Sequence, residues 1–170
     1  MQWIVVVLVA ALVGSAFAQT SVTAVGRGQT LTLTVGKIHY TYTLSDMRIG
    51  VDMDEAKLLD IQHKNGLAYV LLDINGPSRR NGGARQCGAG YERSLVWLRL
   101  ERWRLLEVRA VRYDSCWYTL ESDVPLKQSG SLFTIAFMDF GAMKDKIATY
   151  DRARPELGFA LTGRPMTLPK

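Results

Sequence analysis

Between residues 29 and 44 the side chains alternate too regularly to belong to anything but paired β-strands. Leu31, Leu33 and Val35 alternate with Thr30, Thr32 and Thr34. After Gly36-Lys37, Ile38, Tyr40, Tyr42 and Leu44 alternate with His39, Thr41 and Thr43. Successive side chains of a strand point to opposite faces, so both runs carry an aliphatic-aromatic face and a threonine face. Gly36-Lys37 between them fits a two-residue type II′ turn, in which glycine supplies the positive φ at its first position. Such a hairpin needs one buried and one wet side. His39 belongs to the wet side.

The rest of the chain repeats this theme in shorter units. Leu67 to Ile74 (LAYVLLDI) is almost wholly apolar and follows Asn65-Gly66, which predicts a central strand. Further strands are expected over 95–100, 103–113, 117–121, 132–140, 146–151 and around 158–162, the last after a turn-like Arg154-Pro155-Glu156. Residues 52–60 (DMDEAKLLD) predict one short helix, with carboxylates where a helix dipole favours them. The region 95–113 also satisfies a helical stripe through Val96, Leu100, Trp103, Leu106, Ala110 and Tyr113. Many short strands separated by turn signals predict a mainly β fold, an antiparallel sandwich or barrel-like single domain over 19–170 with one short helix.

Ile4 to Val13 is an unbroken apolar run, half the roughly twenty residues that a membrane-spanning helix needs. Small residues at Ala16 and Ala18 follow, the pattern a signal peptidase accepts. Residues 1–18 are therefore expected to be a cleavable signal peptide, and Gln19 the first residue of an exported protein in the periplasm or outside the cell. The leading Met1-Gln2-Trp3 lacks Lys and Arg, so its charge is the terminal amine alone. No later segment is apolar for long enough to span a membrane as a helix. Asn65, Asn75 and Asn81 all lack the glycosylation sequon, which favours a bacterial export route.

Export bears on the cysteines. Cys87 and Cys116 are the only two, and in an oxidising compartment a lone pair is expected to form a disulfide. Closing a loop of about 30 residues contributes roughly 3–4 kcal/mol in the chain-entropy model. If a turn centres on Glu101-Arg102, the resulting hairpin sets Cys87 directly opposite Cys116, which supports strands over a helix in 95–113. Glu-Arg is poor turn chemistry, so a wider turn with the same centre is an alternative.

The net charge of +5 is concentrated between residues 79 and 112, where nine Arg stand against Glu92, Glu101 and Glu107, an excess of six positive charges. Two readings stay open. Arginines such as Arg99 and Arg109 alternate with apolar neighbours and suit the polar positions of strands. Alternatively the block meets an anionic surface, such as phospholipid or lipopolysaccharide, or an acidic protein. The glycine-rich segment 75–91 (NGPSRRNGGARQCGAGY) is the strongest candidate for such contact, through Arg79, Arg80, Arg85, Tyr91 and the adjacent Arg93. Arginine forks beside glycine-freed amides can hold phosphate or carboxylate. The segment matches neither a P-loop nor a dinucleotide fingerprint, and a plain connector is the competing reading.

The stretches Gln86-Cys87-Gly88-Ala89-Gly90-Tyr91-Glu92, Leu95-Val96-Trp97-Leu98 and Tyr113-Asp114-Ser115-Cys116 resemble segments of some uncharacterised secreted bacterial proteins. The resemblance covers about 30 of 170 residues; it implies a paired-cysteine hairpin in an exported β domain and carries no activity. Catalytic motifs are sparse: two His, no His-x-x-x-His and no Gly-x-Ser-x-Gly. Glu92, Asp114 and Glu121 read as solvated strand residues, although convergence of such carboxylates would suit a glycosidase. No metal, no cofactor and no nucleic-acid partner is expected. The sequence therefore favours an exported non-enzymatic binding or envelope-associated module. A small secreted hydrolase, or an inhibitor or assembly subunit, is the alternative.

Overall fold

The computed structural model describes residues 22–43, 53–77 and 91–166. Residues 1–18, expected to be a signal peptide, and the segment 78–90 lie outside these described residues. The fold is mainly β and antiparallel. A small sheet holds β1 (Val22–Arg27), β2 (Thr30–Val35) and β3 (Ile38–Thr43) in that order. The large sheet contains β4 (Glu55–Lys64), β5 (Leu67–Pro77), β6 (Tyr91–Glu101), β7 (Arg104–Ser115), β8 (Leu120–Glu121), β9 (Lys127–Ser129), β10 (Leu132–Asp139), β11 (Lys144–Asp151) and β12 (Phe159–Pro165). Its strands run in the order β12-β11-β10-β8-β7-β6-β5-β4, with β9 paired to β10.

The β2–β3 hairpin forms as its alternation requires. Val35 pairs with Ile38 around Gly36, whose φ is +61°. Leu31, Leu33 and Tyr42 are buried, whereas His39 is exposed and bonds the Thr34 hydroxyl at 2.9 Å. Beside it β1 runs against β4 at Gly26, where a Cβ would come within 2.9 Å of Met53 Sδ and 3.0 Å of the Ala56 Cβ. A side chain at residue 26 would thus force the two sheets apart. Mutual backbone bonds of 2.7 Å between Gly28 and Met53 lock this corner.

The β5–β6 pair lies at the centre, buried on both faces. Ala68, Val70, Leu72, Ile74, Val96, Leu98 and Leu100 pack towards the small sheet and form one core with Leu31, Leu33 and Tyr42. Tyr69, Leu71 and Trp97 point the other way, onto Phe133 of β10 and Tyr150 of β11. The large sheet therefore curls back over itself. Trp97, fully buried, donates Nε1–H to the Pro155 carbonyl at 2.9 Å, in the 3-10 turn Pro155–Leu157. Two ion pairs fasten the curl to β4: Lys64 Nζ to Glu156 at 2.6 Å, and Arg152 to Asp60 at 3.0 Å. Asp60 is 6% exposed and also accepts from Gln62 Nε2 at 2.9 Å and from the Tyr150 hydroxyl at 3.2 Å.

Two expectations are corrected. In place of the helix expected over 52–60, residues from Glu55 onward belong to strand β4, and the only helical element among the described residues is the 3-10 turn. The segment extends with strand periodicity to Lys64 and joins β5 through Asn65-Gly66, both at positive φ (53° and 76°), a type I′ hairpin. Although Met, Glu, Ala, Lys and Leu are good helix formers, an isolated helix of two turns is marginal, and the segment gains more from a ladder against β5. A bulge between Leu58 and Asp60 lets Leu59 reach the second core while Asp60 turns inward.

The β6–β7 hairpin exists, but its turn is Arg102-Trp103 rather than Glu101-Arg102. Glu101 pairs with Arg104, and two register shifts bring Glu92 opposite Ser115. The register centred on Glu101-Arg102 is thereby overturned, since it would have set Glu92 against Val111. Cys116 is exposed just beyond β7, and Cys87 lies outside the described residues. No free cysteine occurs among the described residues.

Arg102 and Trp103 both hold left-handed backbone, φ 48° and 65°, a conformation that costs a non-glycine residue about 1–2 kcal/mol. What stabilises it is aromatic. The Trp103 ring stacks on Tyr40 at 5.5 Å and meets His63 edge-on at 6.1 Å, and its carbonyl accepts the Tyr42 hydroxyl at 2.6 Å. Burial pushes the Tyr42 phenol up to about 12, with Tyr40 adding to the effect. Arg102→Asn should stabilise the protein by about 0.5–1 kcal/mol, because asparagine tolerates this backbone. Trp103→Gly should destabilise it despite relieving the same strain, because the stack is lost. Denaturant midpoints check both signs. Asp60→Ala should cost about 2–3 kcal/mol in the same measurement, since it strips the acceptor from Arg152, Tyr150 and Gln62.

Candidate functional site

Arg93 faces Asp114 across the β6–β7 ladder, and its guanidinium reaches Asp73 of β5, donating to Oδ2 at 3.0 Å. The Tyr113 hydroxyl donates to the other oxygen of Asp73 at 2.6 Å, and Arg93 stacks over the Tyr113 ring at 5.1 Å. Burial raises the Tyr113 phenol far above its usual range, and the bond to Asp73 adds to this. For Arg93, burial opposes the charge, but Tyr113 and Asp73 outweigh it and hold the guanidinium above its ordinary value. Arg93 is thus committed to an internal contact. The sequence signal for this was the lone Asp73 in an apolar strand, which needs a cation or a donor when buried.

The same holds for most described arginines of the block. Arg99 and Arg109 share Glu107 at 3.1 and 2.8 Å, Arg104 meets Glu101 at 3.2 Å, and Arg112 lies 3.7 Å from Glu92. Arg109 also covers the Trp97 ring at 5.1 Å and donates to the Leu157 carbonyl at 3.0 Å. These arginines occupy polar strand positions and are largely neutralised. Tyr91, by contrast, is 56% exposed at the start of β6. It pairs with Pro77, so the strand ends flanking segment 78–90 are neighbours. Arg79, Arg80 and Arg85 lie outside the described residues.

At this end of the sheet Glu121 is a solvated strand residue as expected and Asp114 is half-buried, whereas the expectation fails for Glu92, which is buried. Asp114 and Glu121 line one open cavity of about 600 Å³ together with Tyr91, Cys116 and Phe140. The pairing of Ser115 with Leu120 is what brings Glu121 alongside Asp114. Partial burial raises the Asp114 carboxyl above its ordinary value; Arg93 opposes this, and the negative charges of Glu92 and Glu121 add to it. Glu92 itself is fully buried. Only the β6–β7–β8 register reveals this convergence, because the three residues are separated in the chain.

A second concavity crosses the outer face of β10–β12. Its volume is about 490 Å³, with Ala136, Met138 and Ile147 in its lining, Val124 on one wall and Thr162 on the other. No group of three or more His, Cys, Asp or Glu placed to hold a metal occurs among the described residues. No helix of the described residues is long and apolar enough to cross a membrane. No family model, no curated protein and no solved structure matches the chain.

Asp114 supplies a pH test. Its raised pKa means that the folded state disfavours the ionised form, so stability present below the ordinary aspartate range is lost as pH rises through that range to the raised value. Asp114→Asn removes the loss. Its stability relative to the parent should rise over that window and then level off, as read from denaturant midpoints across mildly acidic pH.

Proposed function

We propose that the chain is an exported, non-enzymatic binding module that meets an anionic surface or an acidic protein through segment 78–90 and Tyr91. One contrast carries the reading. Arg93, Arg99, Arg104, Arg109 and Arg112 each have a carboxylate partner, whereas 78–90 holds Arg79, Arg80 and Arg85 with no Asp or Glu. Three of the six excess charges of the block therefore stand in that segment, which has no carboxylate of its own. Export rests on the features of residues 1–18, and places the working protein in the periplasm or beyond the cell. A Cys87–Cys116 disulfide would tie the segment to the end of β7, in keeping with the resemblance to secreted bacterial proteins with paired cysteines.

The hydrolase alternative gains one observation, the shared cavity of Asp114 and Glu121. A raised carboxyl beside a second carboxylate is the arrangement that general acid catalysis uses. Asp114→Asn separates the two readings, because it removes a catalytic acid and leaves the arginines of 78–90 in place.

For the binding reading, purified protein should bind vesicles of phosphatidylglycerol and phosphatidylcholine but not phosphatidylcholine alone. Binding should fall steeply as salt contracts the screening length to about 3 Å at 1 M. The triple substitution Arg79→Ser, Arg80→Ser and Arg85→Ser should abolish it, as measured by vesicle co-sedimentation. An unchanged triple variant would sink the proposal.

A further inference from the structure

The concavity on the outer face of β10–β12 is chemically unlike the basic segment in the described residues that line it. Its size lies within the 300–1,000 Å³ typical of small-molecule sites. Its surface is mostly apolar and open to solvent. Ile147 is 41% exposed and Val124 37%, and Ala136 is exposed beside them. The hollow exists because Ala136 is small and because residues 122–126 arch over one side of β10. That arch is fixed by the Ser122 hydroxyl, within 2.9 Å of both the Val124 and the Ala136 carbonyls.

Charge decides what fits. Among the described residues, five ionisable side chains line the hollow: Glu121, Asp123, Asp145, Lys146 and Arg164. Both cations are already neutralised, Arg164 by Asp145 at 3.2 Å and Lys146 by Asp139 at 2.5 Å. Glu121 and Asp123 are exposed on the wall formed by the arch, and neither has a cation within ion-pair distance among the described residues. The concavity therefore combines an apolar floor with two uncompensated negative charges on one side.

We infer that this concavity binds an amphiphilic organic cation, an ammonium head group on an alkyl or aryl body. The apolar body covers Ala136, Met138 and Ile147, and the head group lies against Glu121 and Asp123. An anionic amphiphile would meet the same floor but be repelled by the wall. The inference rests on described residues of β10–β12 and the arch alone, so it does not depend on the reading above.

The test uses the whole exported protein with dodecyltrimethylammonium, dodecyl maltoside and dodecyl sulfate, each below its micellar concentration. Calorimetry measures affinity, and chemical-shift changes locate the site. The cation should bind most tightly and shift Ala136, Met138 and Ile147. Paired Glu121→Gln and Asp123→Asn substitutions should weaken it about fivefold, in line with two exposed charge contacts. Ala136→Trp should abolish binding by filling the floor, and Ile147→Ser, a milder change, should weaken it with the circular dichroism spectrum unchanged. The Arg79, Arg80 and Arg85 variant should bind the cation as the parent does. Equal affinity for cationic and anionic amphiphiles, or indifference to the paired substitutions, would overturn the inference. So would sedimentation showing that a second copy of the chain covers this face.

Discussion

Burial of the β5–β6 pair on both of its faces is the constraint on which the other elements depend. A strand pair apolar on both sides cannot rest against one layer, because the opposite face would stay in water. The small sheet covers one side and the returning β10–β11 hairpin covers the other. With roughly 25 cal/mol stabilising each Å² of apolar surface removed from water, leaving either face bare would cost more than a domain of this size can spare. The architecture is a sandwich on one side and a barrel-like curl on the other, for one reason. Trp97 marks the join, its ring between Tyr69 and Arg109 and its N–H on the Pro155 carbonyl.

The polar groups are organised by the same layering. Asp60 and Asp73 stand at inward positions of β4 and β5, and each has gathered donors from another strand: Tyr150 and Arg152 in one case, Tyr113 and Arg93 in the other. Carboxylates buried like Asp60 or largely withdrawn from water like Asp73 would be too costly left alone, so these clusters fix which strands meet and at what height. Arginines that look like an anion-binding patch along the sequence are, in three dimensions, mostly the counter-charges of this framework. That redistribution directs attention to segment 78–90 for anionic partners and to the β10–β12 face for cationic ones.

Local periodicity made much of the fold legible. The β2–β3 hairpin, its Gly36 turn, the central β5 strand and the succession of later strands all follow from alternation and turn chemistry, which act over a few residues. The β4 segment misled because its acidic start resembles a helix terminus; the Asn65-Gly66 hairpin signal just beyond it was the better guide. The β6–β7 register misled because Arg102-Trp103 is a two-residue turn that its own residue types disfavour. Tyr40, His63 and Tyr42, distant in the chain, hold it. The candidate sites were less legible still. Arg93 was visible but its commitment to Asp73 was not, and neither concavity has a local signature.

What the sequence determined by itself is thus the class of structure: paired, alternating strands with a buried and a wet face, alongside an apolar run at 4–13, two cysteines and an arginine-rich middle. Those properties depend on neighbours one or two positions away, where side-chain direction is set by backbone geometry. Only the tertiary structure decided which charges are neutralised, which carboxylates converge and where an apolar surface stays open. Each of these depends on strand register, and register is set by bulges, turns and long-range packing that no short window of residues contains.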